Sequence, residues 1–319
     1  MFKVSRLLFL VAESPLHPGS GSEIGVVDLP IQRERHTGYP KIEGSSLKGC
    51  IRESFDSRKN DGDYRTKISL LFGPEESAEH AGAMIITDAR LLFFPVKSLK
   101  GVFAWVTCPM VLERFKRDIL AFAISFPFPN EISSFSSLVG TVPEKSELFV
   151  SSKVILEEFA FEVREHAGTS KMANLFANAV FGDSSYAFWK EKLSRSLVVL
   201  PDGDFSEFVR TSTEIVTRTK IDSVKGTVQK GGLWTEEYLP QDTVMYAVAA
   251  FTRARVADGA QEAGGVKAQE MGAEKMAQFF SDNLPRFIQV GGNQTVGKGF
   301  VRLVLYKEGE IRGDEREKA

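Results

Sequence analysis

The 319-residue sequence has only two cysteines, Cys50 and Cys108, so neither a disulfide framework nor a cysteine-built zinc site can organise it. That scarcity fits a reducing, cytoplasmic compartment. Histidine is almost as rare, and His17, His36, His80 and His166 show none of the pair spacing of a zinc site. Excess positive charge is also missing: 40 Lys and Arg stand against 42 Asp and Glu, a net charge of −2. The chain is therefore no bulk polycation, and any contact with nucleic acid must come from a local patch. No apolar run reaches membrane-spanning length, and no membrane partner is expected. The short run in MFKVSRLLFLVAES has no small-residue cleavage site after it and reads as a first strand rather than a signal peptide. What remains, 43% hydrophobic and 26% charged, is an ordinary globular composition able to bury a sizeable core.

The most informative stretch present runs from His17 to Phe55. A Gly/Ser-rich loop (Pro18 to Ser22) leads into GVVDLPIQR and then into KIEGSSLKGCIR, which opens a helix over 45–58. Leu47, Ile51 and Phe55 recur every four residues and can face a core, while Lys48 and Arg52 lie on a neighbouring face. Ser45 or Ser46 can cap the start. A capped helix start with two cations in its first turns is a seat for phosphate, or else an ordinary helix with a solvated basic face.

Around this stretch the pattern alternates. Strands are expected at 2–12 and 83–95, with the helix between them, and again at 243–256, 286–290 and 300–306, with a helix at 269–283. Two such strand–helix–strand sets make an α+β, ferredoxin-like (RRM-like) core, built from 1–95 and 240–306. Residues 96–200 read as a large helical and irregular insertion in a single domain. Within it are an amphipathic helix at 109–123 (Val111, Leu112, Phe115, Ile119, Leu120), one strand at 149–163 and helical material at 170–196. Residues 75–82 and 257–267 read as surface loops, and 307–319 as a mobile charged tail. The β-branched stretch 210–238 predicts a long projecting hairpin turning at Lys225-Gly226, with Arg210, Arg218, Lys220, Lys225 and Lys230 along it.

Gly292 to Lys298 spells G-x-x-x-x-G-K, the first part of a nucleotide-binding loop. An NTPase is rejected, because Gly299 stands where Ser or Thr would hold magnesium and the loop leads into a strand. What survives is a run of glycines that lets main-chain N–H groups approach phosphate, or a tight turn between strands.

Several of these segments resemble one family. LHPGSGSEIGVVDLPIQRE followed by YPKIEGSSLKGCIRESF is similar to the opening of the RAMP superfamily, the RNA-binding subunits of CRISPR effector complexes. The likeness is greatest to backbone subunits of type III-B (Cmr) complexes. The DARLL strand, the PVKSL turn, the TCP helix start, FVSSKVILEEFAFEV and the LWTEEYLP end of the hairpin agree with it. The resemblance implies a subunit that lines a CRISPR RNA in a helical filament of its own copies, beside other Cmr subunits, and cuts single-stranded target RNA paired to the guide. Lys41, Ser45, Ser46, Lys48 and Arg52, with Gly292, Asn293, Gln294 and Lys298, would hold RNA. The hairpin, with Arg218, Lys220 and Lys225, would push between nucleotides as a thumb.

By the same resemblance Asp28 is the residue needed for cleavage; read alone, it could equally cap a turn. A single carboxylate would hold Mg²⁺ or Mn²⁺ only weakly, with RNA phosphate and water completing the shell. His17 is a helper or a packing residue. Glu236 or Glu237 is a second acidic candidate, or else a salt-bridge partner of the hairpin. A non-catalytic RNA-binding scaffold is the alternative to the endoribonuclease.

Overall fold

The computed structural model describes residues 4–22, 25–57, 62–75, 80–129, 139–255, 262–263, 266–267 and 271–306. The expected tail 307–319, residues 76–79 of one expected loop and most of 257–267 lie outside these. The chain divides into two compact units, Met1–Arg90 with Thr213–Leu303, and Leu91–Ser212 with Val304–Ala319.

The first unit is built on four strands. Val4–Ala12 pairs antiparallel with Val244–Phe251, from Val4 opposite Phe251 to Val11 opposite Val244. Met84–Ile86 pairs antiparallel with the same Val244–Phe251, and Phe300–Leu305 flanks Val4–Ala12. In chain order these are the first, third, second and fourth core strands, so the spatial order is 4-1-3-2, the arrangement of a ferredoxin-like sheet. Phe287–Gln289 adds an outer strand beside Phe300–Leu305. The two crossovers are the helices Gly44–Asp56 and Ala273–Asn283. They meet through stacked Phe55 and Phe280, ring centroids 6.1 Å apart, and Phe280 packs on Phe251 of the sheet at 5.3 Å. Every residue of Val244–Phe251 is buried, as a strand covered on both faces requires.

The expected strand 83–95 is broken. It forms Met84–Ile86 and Ala89–Lys97, interrupted at Thr87-Asp88, where Asp88 turns aside to serve the helix described below. A second helix, Gly62–Phe72, follows the first.

In the second unit the amphipathic helix is Pro109–Ala121. It buries Val111, Leu112, Phe115 and Ile119, but Leu120 is 68% exposed and belongs to its outer face. Phe115 sits in an aromatic cluster with Phe126 and Phe176. The expected single strand 149–163 is three: Phe149–Val150, Lys153–Leu156 and Phe159–Glu165, folded back on one another. Ser151 and Glu157 take positive φ (59° and 50°) at the reversals, a conformation that neither residue type announces. Residues 170–196 divide into helices Ala167–Phe181 and Ala187–Ser196. Arg210 lies in the last turn of the helix Asp202–Thr211, so the hairpin begins later than expected, at Glu214.

Candidate functional site

All the candidate residues lie in the first unit, on five segments: the loop 13–40, the short strand Lys41–Ile42, the helix Gly44–Asp56, the hairpin of Glu214–Ile221 and Val228–Tyr238 with its turn, and the loop 291–299.

One N–H of the helix start is already taken by the protein. Glu43 is the capping position, and no side-chain cap bond comes from it. The Asp88 carboxylate accepts from the Gly44 N–H at 2.8 Å instead and sets a negative charge at the helix start. A Cβ on Gly44 would lie 2.8 Å from the Ile86 carbonyl, so only glycine lets the helix start this close to the strand. Ser45 and Ser46 are exposed on the first turn. The nearby cations are engaged within the protein. Lys41 pairs with Glu43 and with Asp88 (2.5 and 3.2 Å), which raises its ammonium pKa, the Glu43 hydrogen bond most. Lys48 donates to the Met84 carbonyl at 3.1 Å, and burial, then Arg52, lowers its pKa. Arg52 donates to the Gly73 carbonyl at 2.9 Å and pairs with Asp56 and Glu75.

The long loop is fastened at both ends. Gln32 donates to the Gly19 carbonyl (3.1 Å) and accepts from the Glu43 N–H (2.9 Å), tying the loop to the helix start. Leu16 exchanges two main-chain hydrogen bonds with Leu239, and Leu29 bonds Thr235 and Glu237 along the edge of the returning hairpin strand. This edge pairing brings Asp28 to Thr235. The Thr235 N–H (2.8 Å) and hydroxyl (2.9 Å) both donate to Asp28 Oδ2, and the Asp28 N–H donates to Thr235 Oγ1 (3.0 Å). These bonds, the main-chain one foremost, hold the Asp28 carboxyl below its ordinary value, although the side chain stands in solvent.

The next two residues are buried, each 5% exposed, and successive strand side chains point to opposite faces. Glu236 accepts from Trp234 Nε1 (2.8 Å), Arg218 Nε (3.1 Å), Asn293 Nδ2 (3.1 Å) and, through a short bond, the Tyr238 hydroxyl. Burial alone would raise its carboxyl, but Tyr238, Trp234 and Arg218 bring it below the ordinary value. Glu237 accepts from Arg33 Nη2, from the Ile31 N–H (3.0 Å) and from the Thr213 hydroxyl (2.9 Å). The partners are thus arginines and loop groups rather than the hairpin's lysines. Lys220 and Lys225 are exposed toward the hairpin's end, where Asp222 caps the turn through the Val224 and Lys225 N–H groups.

His17 is buried. Its Nδ1 lies 2.6 Å from the Glu237 carbonyl, so Nδ1 is the nitrogen that donates to it, and the ring lies 5.4 Å from Tyr238. Its own carbonyl accepts from the Gly292 N–H at 3.0 Å. The loop 291–299 is therefore docked on His17. On its other side the Gly291 N–H reaches the Cys50 thiol of the helix, which burial and Glu53 push up. Asn293 takes a left-handed conformation (φ 66°) and also donates to the Tyr238 hydroxyl at 2.8 Å. Lys298 lies over the Tyr238 ring at 5.0 Å, while Gln294 and Gly292 are exposed.

Among the described residues no group of three or more His, Cys, Asp or Glu is placed to hold a metal. Asp28 offers one exposed carboxylate, which fits an ion shared with a bound ligand and not a cage built by the protein. Sequence reasoning missed Thr235, Asp88, Arg33, Gln32 and Tyr238. Period-two alternation does place Thr235 and Glu237 on one face and Glu236 and Tyr238 on the other.

A 4-1-3-2 sheet with a glycine-rich loop docked against the base of a long hairpin defines an RRM-like class of α+β protein. The chain belongs to the RAMP superfamily, whose family model matches residues 9–302. It is 41% identical over 302 residues to the CRISPR system Cmr endoribonuclease Cmr4 of Pyrococcus furiosus, a match covering 94% of this chain and 95% of that one. The fold is similar to the crystal structure of oligomeric Cmr4 from Pyrococcus furiosus (TM-score 0.68, 33% identity, 95% and 97% of the two chains). It is also similar to a chain in the cryo-EM structure of the type III-B Cmr-beta bound to cognate target RNA (TM-score 0.74, 25% identity, 95% and 98%). Among the described residues no helix is long and apolar enough to cross a membrane.

Proposed function

We propose that this chain is the backbone subunit of a type III-B effector complex: several copies line one guide RNA and cut the paired target RNA, Asp28 serving each cut. The observation that carries this reading is the seating of Asp28. An exposed carboxylate is fixed by three hydrogen bonds to Thr235 at the base of the hairpin, one residue from the carboxylate that holds the glycine-rich loop. The relationship to an endoribonuclease along nearly the whole chain supports it.

RNA carries its own nucleophile, the 2′-hydroxyl, so the protein has only to place it in line with the next phosphate and balance charge. Asp28, held ionised, accepts the hydrogen bond that orients this hydroxyl. Its depressed pKa makes it a poor proton acceptor, so orientation rather than strong general-base action is its contribution. A divalent ion, Mg²⁺ or Mn²⁺, would be held on the protein side by Asp28 alone, with phosphate oxygens and water as its other ligands. When bound it would supply charge neutralisation at the scissile phosphate. The exposed Ser45 and Ser46, Gly292, Gln294 and Lys298 face the guide, and Lys220 and Lys225 extend the contact along the hairpin.

Replacing Asp28 by Asn in an assembled complex tests this. Cutting is expected to fall by at least a hundredfold while guide and target stay bound; unchanged cutting would leave a binding scaffold.

A further inference from the structure

The two buried glutamates of the returning hairpin strand follow each other in sequence yet fasten different loops. Glu236 reaches the glycine-rich loop through Asn293, and binds Arg218, Trp234 and Tyr238 of the hairpin on the same face. Glu237 reaches the loop that carries Asp28, through Arg33 and the Ile31 N–H, and the residue just before the hairpin's first strand, Thr213. One step along a strand is about 3.3 Å, and it turns the side chain to the other face. The segment that grips the guide and the segment that cuts the target are thus indexed to adjacent positions of a single strand.

We propose that Glu236 and Glu237 are a pair of positioning residues that fix where the cut falls relative to the guide. Neither takes part in proton transfer or metal binding. Each carboxylate already accepts at least three hydrogen bonds from protein donors, and each is 5% exposed. So engaged and so buried, neither carboxylate is presented to solvent or substrate, and removing either would take an anion from the Arg218 or Arg33 guanidinium. The two arms have separate signatures. Loosening Glu236 frees Asn293 and the glycine-rich loop, so guide affinity falls. Loosening Glu237 frees the Arg33 segment and shifts Asp28, so the catalytic step slows at saturating target. A displacement near 1 Å at the reacting groups costs roughly a hundredfold in rate.

This inference rests on the proposed function, and the experiment separates the two. Assembled complexes carrying Glu236→Gln, Glu237→Gln, Asn293→Ala or Thr213→Val are compared with wild type and with Asp28→Asn. Guide affinity, single-turnover cutting against pH, and the lengths of the cut products are measured. Asn293→Ala and Thr213→Val remove one donor from each arm without burying an unpaired charge, so they report even where a glutamine variant folds poorly. Expected for Glu236→Gln and Asn293→Ala is guide affinity weaker by roughly tenfold, the worth of one charge-assisted hydrogen bond. Expected for Glu237→Gln and Thr213→Val is a cutting rate lower by roughly ten- to a hundredfold, with product ends spread over neighbouring positions. The pH profile keeps its shape in all four.

Loss of a pH limb in either glutamine variant would make that residue an acid or base and overturn the proposal. So would unchanged guide affinity in both Glu236→Gln and Asn293→Ala, or sharp, unshifted products at the wild-type rate in both Glu237→Gln and Thr213→Val. Failure of Asp28→Asn to stop cutting would overturn the proposed function instead, and the Glu236 arm is still read from guide affinity.

Discussion

Two glycines in the loop 291–299 share a backbone conformation but not their surroundings, and substituting each by alanine separates strain from contact. Gly291 has φ +81° and Gly297 φ +77°. An L-residue in this region costs about 1–2 kcal/mol, and Ala incurs that cost at either position. At Gly297 nothing lies within 4 Å of the added Cβ, so strain is the whole effect. At Gly291 the Cβ would fall 2.2 Å from the His17 carbonyl oxygen and 2.7 Å from its carbon, main-chain atoms that no rotamer change can move. That oxygen accepts from the Gly19 and Gly292 N–H groups, each at 3.0 Å, and pushing it away disturbs both bonds, at about 1 kcal/mol each. Gly297→Ala is therefore expected to cost about 1–2 kcal/mol and Gly291→Ala about 3–4 kcal/mol. For a folding unit of this size the gap of about 2 kcal/mol corresponds to melting temperatures roughly 4–8 °C apart. Thermal melts of the two variants, with guide binding measured below both transitions, decide the matter. Equal melting temperatures would refute the docking of the glycine-rich loop on His17.

Other expectations follow from the electrostatics. Burial and the neighbouring Glu13 raise the Asp242 carboxyl to about 6, so the stability linked to it is present below pH 3.8 and is lost as pH rises through 6. Asp242→Asn should then stabilise the protein at pH 8 by about 1–2 kcal/mol, discounted for partial exposure, and at pH 4 by no more than about 0.5 kcal/mol; urea unfolding at the two pH values checks it. Thr235→Val removes a donor from Asp28 and should move the acid limb of the cutting profile to higher pH, and an unmoved limb would contradict the anchoring role of Thr235. Chelation with EDTA should stop cutting while filter binding still retains the guide. Raising salt from 50 to 200 mM should weaken guide binding, and a flat response would contradict phosphate contact.

Much of the core was legible because its signals are local. The Leu47, Ile51, Phe55 spacing, the continuous apolar strands and the two strand–helix–strand sets read directly from the sequence, and the family likeness is spread over the chain. What was not legible depended on partners distant in sequence. Ser45 and Ser46 look like caps, but the cap comes from Asp88, forty-four residues beyond Gly44. Lys48 and Arg52 look like a solvated basic face until the Met84 and Gly73 carbonyls are found in reach. The alternation of 149–163 conceals two reversals, because Ser151 and Glu157 take positive φ without the glycine or asparagine that would mark a turn. Glu236 and Glu237 were visible as acids, and the sequence could say nothing of Asn293 or Arg33 as their partners.

On the proposed reading, the commitment of Lys41, Lys48 and Arg52 to neighbours inside the protein bears on how RNA would be retained. With Asp88 bonded to the first helical N–H and these three cations engaged, the helix start of one copy has little positive charge left for a phosphate chain, and on the proposed reading a single copy would let go quickly. A row of copies on the same strand behaves otherwise, because each that lets go is held near its site by those still bound and rebinds before the strand drifts off. Retention then belongs to the array and not to the individual molecule, so a guide too short for several copies would be shed.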